Sequence, residues 1–232
     1  MTEPGIGHET AGRRGGLDRR SMLALTASGL LMPAPRLLAA TPVPKDLSFR
    51  IYRKGDDIGI HTMRFAPVPG GMSVDTEIDL KVKMAFVTVF SYEQRGRDIW
   101  KDGKLVEAEY ITDDDGKKTR VEVNAEGERL RFDGPSGPFE MPLGTMTDLA
   151  FWNDAIVRVH QLVDSQTAEV AQVSSQPGKS ERLLVAGQEL QASRYELASS
   201  NGRSGSIWYD EQGRWVKGIM NTRGETLDYV LA

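Results

Sequence analysis

A regular alternation of apolar and polar side chains over the 13 residues 72–84 constrains the fold more than any other feature. Period-two alternation places successive side chains on opposite faces of a β-strand, whereas a helix would distribute them around its circumference. The apolar positions are Met72, Val74, Thr76, Ile78, Leu80, Val82 and Met84, and the intervening acids are Asp75, Glu77 and Asp79. A register shift of one residue would expose the whole apolar set. The segment therefore predicts a large antiparallel sheet with one buried face.

The rest of residues 41–232 continues in the same manner, with short alternating segments separated by glycine-containing turns. Asp102 and Gly103 stand between two such segments and are a strong signal for a tight β-hairpin. About a dozen strands fit into the chain, and sheets of long strands twist and coil. We therefore expect residues 41–232 to form a single, mainly β domain: a large curved antiparallel sheet, half-barrel or barrel, with an apolar concave face.

One short helix is predicted after the loop at 134–138, packed on the concave face. Thr145, followed three residues later by Asp148, resembles a capping box. Leu149, Trp152 and Ile156 then follow at helical spacing. The extent to which this helix fills the concavity decides between a packed core and a ligand pocket, and the sequence leaves both open.

Residues 1–40 are predicted to be a signal peptide of the twin-arginine type. Arg19 and Arg20 follow a long polar lead, and the apolar run 22–32 comes shortly after them. This run is too short to cross a bilayer but suits the hydrophobic region of a signal peptide. Paired arginines are typical of the twin-arginine export route. We therefore expect a periplasmic protein with no membrane span after signal removal; an uncleaved tail or membrane anchor is the alternative.

The composition excludes several classes of function. The chain has 29 Lys and Arg against 33 Asp and Glu, a net charge of −4, which argues against nucleic acid as a partner. Cysteine is absent, so disulfides, thiolate metal sites and cysteine nucleophiles are excluded. His61 and His160 are far apart and lack carboxylates at ligand spacing, so no metal site is expected. No cofactor is expected either, because the sequence contains no cofactor motif.

Two short motifs resemble functional sites and are better explained as turns. Residues 113–116 begin like a calcium-binding loop, but Lys117 and Asn124 occupy positions where that loop requires acids. Residues 202–206 resemble a nucleophile elbow, but their second glycine comes one position early. Neither motif supports a catalytic or metal-binding function.

Bulky side chains expected on the concave face are the candidates for a ligand site. Such side chains either anchor the core of the sheet or lie at the rim of a pocket. Pockets for apolar ligands are concave and mostly apolar. The candidate wall residues for an apolar or lipid-like ligand are Val82 and Met84 in the long strand, Trp152 in the predicted helix, and Trp208 in the aromatic-rich segment 207–215.

Several short motifs, taken together, resemble a known family. They include residues 55–59, 98–105, 192–195 and 207–210. Over residues 47–231 the chain resembles DUF6134, a family of exported proteobacterial proteins of unknown function, for which no catalytic residues are established. The layout is also similar to LolA/LolB-like lipoprotein carriers. That resemblance implies a curved sheet that closes over helices and holds acyl chains.

Three functions agree with these observations. The first is a non-enzymatic periplasmic binder or carrier of an apolar or lipid-like ligand, which requires a concavity that the helix leaves partly empty. The second is a structural or interaction module of the cell envelope with a filled core. The third is a small cofactor-free enzyme, which requires a buried carboxylate of raised pKa near the helix. The sequence favours the binder or carrier function. It does not indicate any particular protein partner.

Overall fold

The computed structural model describes residues 43–232, most of which are β-strand. The predicted signal peptide at 1–40, with Arg19 and Arg20, lies outside the described residues. The strands are β1 (Leu47–Arg53), β2 (Asp56–Val68), β3 (Gly71–Met84), β4 (Val87–Lys101), β5 (Lys104–Asp114), β6 (Lys117–Glu126), β7 (Arg129–Asp133), β8 (Phe139–Pro142), β9 (Gln161–Val163), β10 (Val170–Val185), β11 (Gln188–Ser199), β12 (Ser204–Asp210), β13 (Trp215–Thr222) and β14 (Glu225–Leu231).

All fourteen strands form one antiparallel sheet in the order β8-β7-β6-β5-β4-β3-β2-β1-β14-β13-β12-β11-β10-β9. Neighbours in the sheet are neighbours in the chain, except that β1 pairs with β14. Because the strands are antiparallel, their connections alternate between two ends of the sheet. We call the end with the turns at 54–55, 85–86, 115–116 and 223–224 the upper end, and the opposite end the lower end. The predicted large antiparallel sheet is confirmed.

Strand β3 has the two faces that its sequence predicts. Val74, Ile78 and Leu80 are buried on the inner face. Asp75 and Asp79 point outward, and each lies 3.0 Å from a guanidinium nitrogen of an arginine on β4. These ion pairs are partly exposed and contribute little to stability. Burial of the apolar set is therefore what fixes the register of this strand.

Two of the strands are unusually long. β4 has 15 residues. β10 has 16 residues and continues through Pro177 and Gly178. The pairing of β10 with β11 shifts register between Pro177 and Ser180. A bulge at this point accommodates a proline, which has no N–H to donate, without ending the strand.

The sheet is not closed by hydrogen bonds between its edge strands β8 and β9. The chain that follows β8 bridges part of the gap instead: Thr147 pairs in parallel with Val163, which is a residue of β9. A second contact between the two edges joins Gly134, which follows β7, to Ala168, which precedes β10. It is so close that a β-carbon on Gly134 would lie 2.4 Å from that of Ala168. Irregular chain and close packing thus complete the enclosure.

The predicted helix is replaced by two 3₁₀ helices, Ala150–Trp152 and Asp154–Arg158. The capping box predicted at Thr145 and Asp148 is wrong. The Thr145 hydroxyl donates to the carbonyl of Pro142, and Asp148 accepts from the backbone N–H of Ser165, at 2.8 Å in both cases. Asn153, in extended conformation, separates the two helices and caps the second one. Its conformation interrupts the helical turn, so no continuous α-helix forms here.

These 3₁₀ helices fill the lower half of the interior with aromatic rings. Trp152 packs edge-on against Trp100 and Phe65, with ring centroids 5.0 and 5.4 Å apart. Phe151, from the first 3₁₀ helix, lies 5.7 Å from Trp215. Within residues 43–232, no comparable insertion enters the upper half of the interior, and the candidate site is found there.

Candidate functional site

An apolar cavity of about 420 Å³ occupies the upper half of the interior. Its walls are mainly inner-face side chains of β2–β4 and β13–β14. This volume equals that of about 14 water molecules at about 30 Å³ each. It lies within the range of small-molecule pockets. The principal apolar lining residues are Ile58, Ile78, Leu80, Val82, Phe90, Met220 and Leu227.

The floor of the cavity is aromatic and uncharged. His61 lies at the floor, with its ring edge-on to Trp215 and Tyr229 at 5.7 and 6.0 Å. Burial lowers the pKa of His61 to about 3. Neither of its ring nitrogens has a hydrogen-bond partner within residues 43–232. The imidazole is therefore neutral at physiological pH and brings one unpaired N–H donor and one unpaired nitrogen acceptor to the floor.

One charged cluster lies beside the cavity, centred on Arg203 in the turn before β12. Its Nη1 is 2.6 Å from Asp148 Oδ2 and 2.8 Å from Asp164 Oδ2. Burial raises the pKa of Asp148, and the Asp164 carboxylate adds to this increase. With both acids ionised, the cluster carries a net charge of −1. Both contacts use Nη1, so Nε and Nη2 of Arg203 remain without a hydrogen bond to any described residue.

Neutral hydrogen-bonding groups form the polar surface of the cavity between the Arg203 cluster and the rim. The Tyr92 hydroxyl donates to Gln94 at 3.1 Å, and the Gln94 amide donates to the Ser165 hydroxyl at 3.0 Å. Tyr229 also lines the cavity, and burial raises its pKa to about 12. Among residues 43–232 its hydroxyl has no hydrogen-bond partner. The cavity thus presents free O–H and N–H donors from Tyr229 and Arg203.

Ion pairs between different turns form the rim of the cavity at the upper end. Arg53 Nη2 is 2.6 Å from Glu225 Oε1. Arg223 forms a two-point hydrogen bond with Asp114, which also accepts from the Gln166 side chain at 2.9 Å. The hydrogen bond from Arg223 holds the pKa of Asp114 below its ordinary value. These pairs join β1 to β14, and β5 to the turn between β13 and β14, around the opening.

A second, smaller cavity of about 80 Å³ lies on the other side of the charged cluster. Asp148, Phe151, Arg203 and Ser204 line both cavities. The walls of the small cavity are otherwise mostly apolar and come from β9–β11 and the second 3₁₀ helix. The Arg203 cluster therefore forms a polar partition within an apolar interior.

The four predicted wall residues lie in four different environments. Val82 lines the cavity. Met84 lies on the same strand face but above the rim, where it is 69% exposed. Trp152 lies in the aromatic packing of the lower half. Trp208 is covered by Arg194 and Lys217, which lie 5.1 and 4.6 Å from its ring centroid.

Strand alternation explains the position of Trp208. Its indole donates to Glu181 at 3.1 Å, whereas the hydroxyl of the next residue, Tyr209, donates into the interior, to the carbonyl of Phe151. Adjacent residues of a strand point to opposite faces. Trp208 therefore lies on the outer face and outside the cavity wall. A role of any of the four residues in ligand contact remains a prediction.

Sequence reasoning missed the polar residues of the site. Asp148 was assigned to a helix cap, and residues 202–206 were interpreted only as a turn. Asp148 and Arg203 are 55 residues apart in the chain. No spacing rule connects them, because only the curvature of the sheet brings these turns together.

Besides Asp148, a second carboxylate has a pKa that burial raises, and it lies outside the cavities. Asp98 is 2% exposed, and burial raises its pKa to about 7. It accepts a long hydrogen bond of 3.4 Å from the Trp100 indole, while its Oδ1 has no partner among the described residues. Asp98 therefore has the burial and the raised pKa that a small cofactor-free enzyme was expected to need. It lines neither cavity, so a substrate held there would not reach it.

Fold and site together define a class of protein: a β-barrel-like antiparallel domain, not closed by strand pairing, with an apolar cavity at one end. A family model described as "Domain of unknown function (DUF6134)" matches residues 49–232. The chain belongs to this family, and the resemblance seen in its motifs is confirmed. No curated protein matches the sequence. No helix within residues 43–232 is long and apolar enough to cross a membrane.

A solved structure has a similar fold: the beta-barrel-like protein of domain of unknown function DUF1849 from Brucella abortus. The similarity has a TM-score of 0.60 at 13% sequence identity and covers 82% of this chain and 96% of that chain. At this identity, the likeness shows the fold alone.

Proposed function

We propose that this protein is a non-enzymatic periplasmic binder or carrier of an apolar or lipid-like molecule. The observation that supports the proposal is the apolar cavity of about 420 Å³ at the upper end. A densely packed interior would have favoured a structural module instead. Two carboxylates have a pKa that burial raises: Asp98 lies outside both cavities, and Asp148 lines them but is paired with Arg203. Neither is a free carboxyl group facing the cavity, which counts against the enzyme alternative.

The cavity walls favour a ligand that is mostly hydrocarbon. Its volume accommodates roughly 14 non-hydrogen atoms if each takes about the space of a water molecule. Transfer of each methylene group from water into such a site contributes about 0.8 kcal/mol. A medium-length acyl or isoprenoid chain therefore gains enough free energy to offset the loss of its translational and conformational freedom.

The polar groups favour an uncharged ligand head that carries an oxygen acceptor. Free donors from Tyr229 and Arg203 suit a carbonyl, ester or hydroxyl oxygen. An anionic head would be repelled, because Arg203 is already paired with two carboxylates. A cationic head would lose hydration against apolar walls without gaining a free carboxylate partner. We therefore propose neutral lipids, alcohols or esters as the ligand class.

Dye displacement tests this function. The apolar dye N-phenylnaphthylamine should bind saturably to the purified protein, and dodecanol should displace it more strongly than laurate does at mildly alkaline pH. Leu80→Trp narrows the cavity and should strongly weaken dye binding. Glu77→Trp places the same ring on the outer face of the same strand and should not. Equal binding by both variants would contradict the cavity as the site.

Native mass spectrometry of the gently purified protein provides a second test. We expect a bound species that dissociates as a small apolar molecule and is strongly reduced in Leu80→Trp. An apo mass with no extractable lipid would count against a carrier function.

Periplasmic location is a separate part of the proposal, and Arg19 and Arg20 support it. Replacement of both residues by Lys should leave the protein in the cytoplasmic fraction of a host with twin-arginine export. Unchanged distribution in cell fractions would contradict this route.

A further inference from the structure

The hairpin between β3 and β4 separates from the neighbouring strands of the sheet at the upper end. The pairing of β3 with β2 ends at Leu80, and the pairing of β4 with β5 ends at Tyr92. In the strand pairing, residues 81–91 face only each other, and Ser91 also accepts a backbone hydrogen bond of 2.9 Å from Asp115. Four residues of β3 beyond Leu80 correspond to about 13 Å at about 3.3 Å per residue. We call residues 81–91 the projecting hairpin.

The end of the projecting hairpin is apolar and exposed. Phe86 is fully exposed, and Met84, Val87 and Val89 are 69%, 65% and 47% exposed. These four side chains are half of the large exposed hydrophobic side chains within residues 43–232. Clustered exposure of this kind marks an interaction site, whereas single exposed hydrophobic residues need no explanation.

This apolar surface is continuous with the cavity wall. Val82 and Phe90 face each other across the hairpin and line the cavity. Met84 and Val87 form the next inward-facing pair, beyond the rim. An apolar path therefore leads from the cavity to Phe86 at the turn.

The charge of the projecting hairpin differs from that of the chain. It contains Lys81 and Lys83 and no acid, whereas the whole chain has a net charge of −4. Both lysines lie on the outer face, and the Lys81 ammonium is also 3.6 Å from Glu93. Lysines next to an exposed apolar tip suit the headgroup layer of an anionic membrane.

We propose that the projecting hairpin docks the protein onto an anionic lipid bilayer, with Phe86, Met84 and Val87 inserted below the headgroups. The cavity mouth then faces the bilayer, and an apolar ligand passes between bilayer and cavity along the hairpin. This inference rests on the proposed function, because it supplies the source and destination of the ligand.

A lipid surface fits the hairpin better than a protein partner or a second copy does. Stable protein interfaces bury about 800 Å² on each partner. One narrow hairpin tip with four exposed apolar side chains provides less surface than that. Insertion into a bilayer needs no complementary protein face, because lipid tails surround the inserted side chains.

The absence of cysteine from the sequence allows a direct test. Phe86→Cys, labelled with the environment-sensitive dye NBD, reports on the tip. Leu184→Cys is the matched control, because Leu184 is 74% exposed on another hairpin, at the lower end. With vesicles of phosphatidylglycerol and phosphatidylcholine, NBD at position 86 should become brighter and blue-shifted, while NBD at 184 should not change.

Vesicle co-sedimentation of the unlabelled protein measures the contribution of the tip. Phe86→Ser should weaken binding at least about tenfold, which corresponds to returning one phenylalanine side chain to water. Leu184→Ser should bind like the unmodified protein, and vesicles of phosphatidylcholine alone should bind it more weakly.

The outcomes separate this proposal from the proposed function. If N-phenylnaphthylamine still fills the cavity in solution but NBD at 86 ignores anionic vesicles, docking is overturned and ligand binding stands. If NBD at 86 changes only with protein concentration, the tip contacts a second copy, and docking is likewise overturned. If the tip inserts but the dye does not bind, docking stands and the proposed function fails.

Discussion

The two halves of this barrel-like interior have the same kind of wall and different contents. In the lower half, rings from the 3₁₀ helices and the strands pack at centroid distances near 5 Å. In the upper half, the same curved sheet surrounds a cavity of about 420 Å³. Strand alternation is similar in both halves, so it does not decide which one is filled. What decides is the position of the inserted segment 150–158, which fills the lower half and reaches the cavity only through Phe151.

Two buried tyrosine hydroxyls, one in each half, differ in their hydrogen bonding. In the lower half the Tyr209 hydroxyl donates to a backbone carbonyl at 2.8 Å. In the upper half the Tyr229 hydroxyl has no such partner among the described residues. Buried polar groups are normally paired within the protein. Unpaired donors beside a cavity are therefore better understood as groups available to a ligand than as structural contacts.

The largest expected difference between the halves is the effect of shortening a wall residue. Leu105 is fully buried near the lower end, whereas Leu80 borders the cavity. Leu105→Ala should lower the free energy of unfolding by about 3–5 kcal/mol, because it creates a void in packed surroundings. Leu80→Ala only enlarges a space that already exists and should lower it by about 2 kcal/mol. Urea unfolding measures both, and equal losses would mean that the upper half is packed in solution.

The sequence predicted the wall of this molecule better than its contents. The alternation at 72–84 was sufficient for the sheet, because a period-two pattern depends only on neighbours in the chain. The Arg203 cluster was not predictable, since Asp148 and Arg203 come from turns that meet only after the sheet curves. Val82 was predicted as a wall residue and lines the cavity. Trp208 was also predicted as a wall residue but lies on the outer face, because residue type alone does not reveal which face of a strand a side chain occupies.

An intermediate effect is expected from two buried titratable groups, one in each half. Asp98 has a folded-state pKa of about 7, raised by burial above the ordinary 3.8. Between these values the folded state holds a proton that the unfolded state releases, so stability falls as pH rises. His61 has a folded-state pKa of about 3, lowered by burial from 6.5. Between these values the unfolded state binds the extra proton, so stability rises with pH. The two contributions oppose each other, each by about 1.4 kcal/mol per pH unit at most.

Single substitutions should reveal the two opposing slopes. Relative to the unmodified protein, Asp98→Asn should gain stability as pH rises from about 4 to 7, because the variant lacks the Asp98 loss. Relative to the same reference, His61→Phe should lose stability as pH rises from about 3 to 6.5. Thermal or urea unfolding across this range measures both. Parallel pH profiles for all three proteins would show that neither group is buried as described.

The smallest effect is expected from removing single hydroxyl groups, and it distinguishes the halves most directly. Tyr229→Phe should leave stability nearly unchanged, because the Tyr229 hydroxyl bonds to no described residue. The same substitution should weaken dodecanol binding by about 0.5–1.5 kcal/mol, the contribution of one hydrogen bond. Binding of N-phenylnaphthylamine, which depends on apolar contact, should not change. Tyr209→Phe is the matched control: it should lower stability by about 1 kcal/mol and leave dodecanol binding intact. If Tyr229→Phe instead lowered stability and left dodecanol binding intact, the Tyr229 hydroxyl would have a structural role, and the argument for an oxygen-bearing ligand head would fail. The apolar cavity itself would still favour a hydrocarbon ligand.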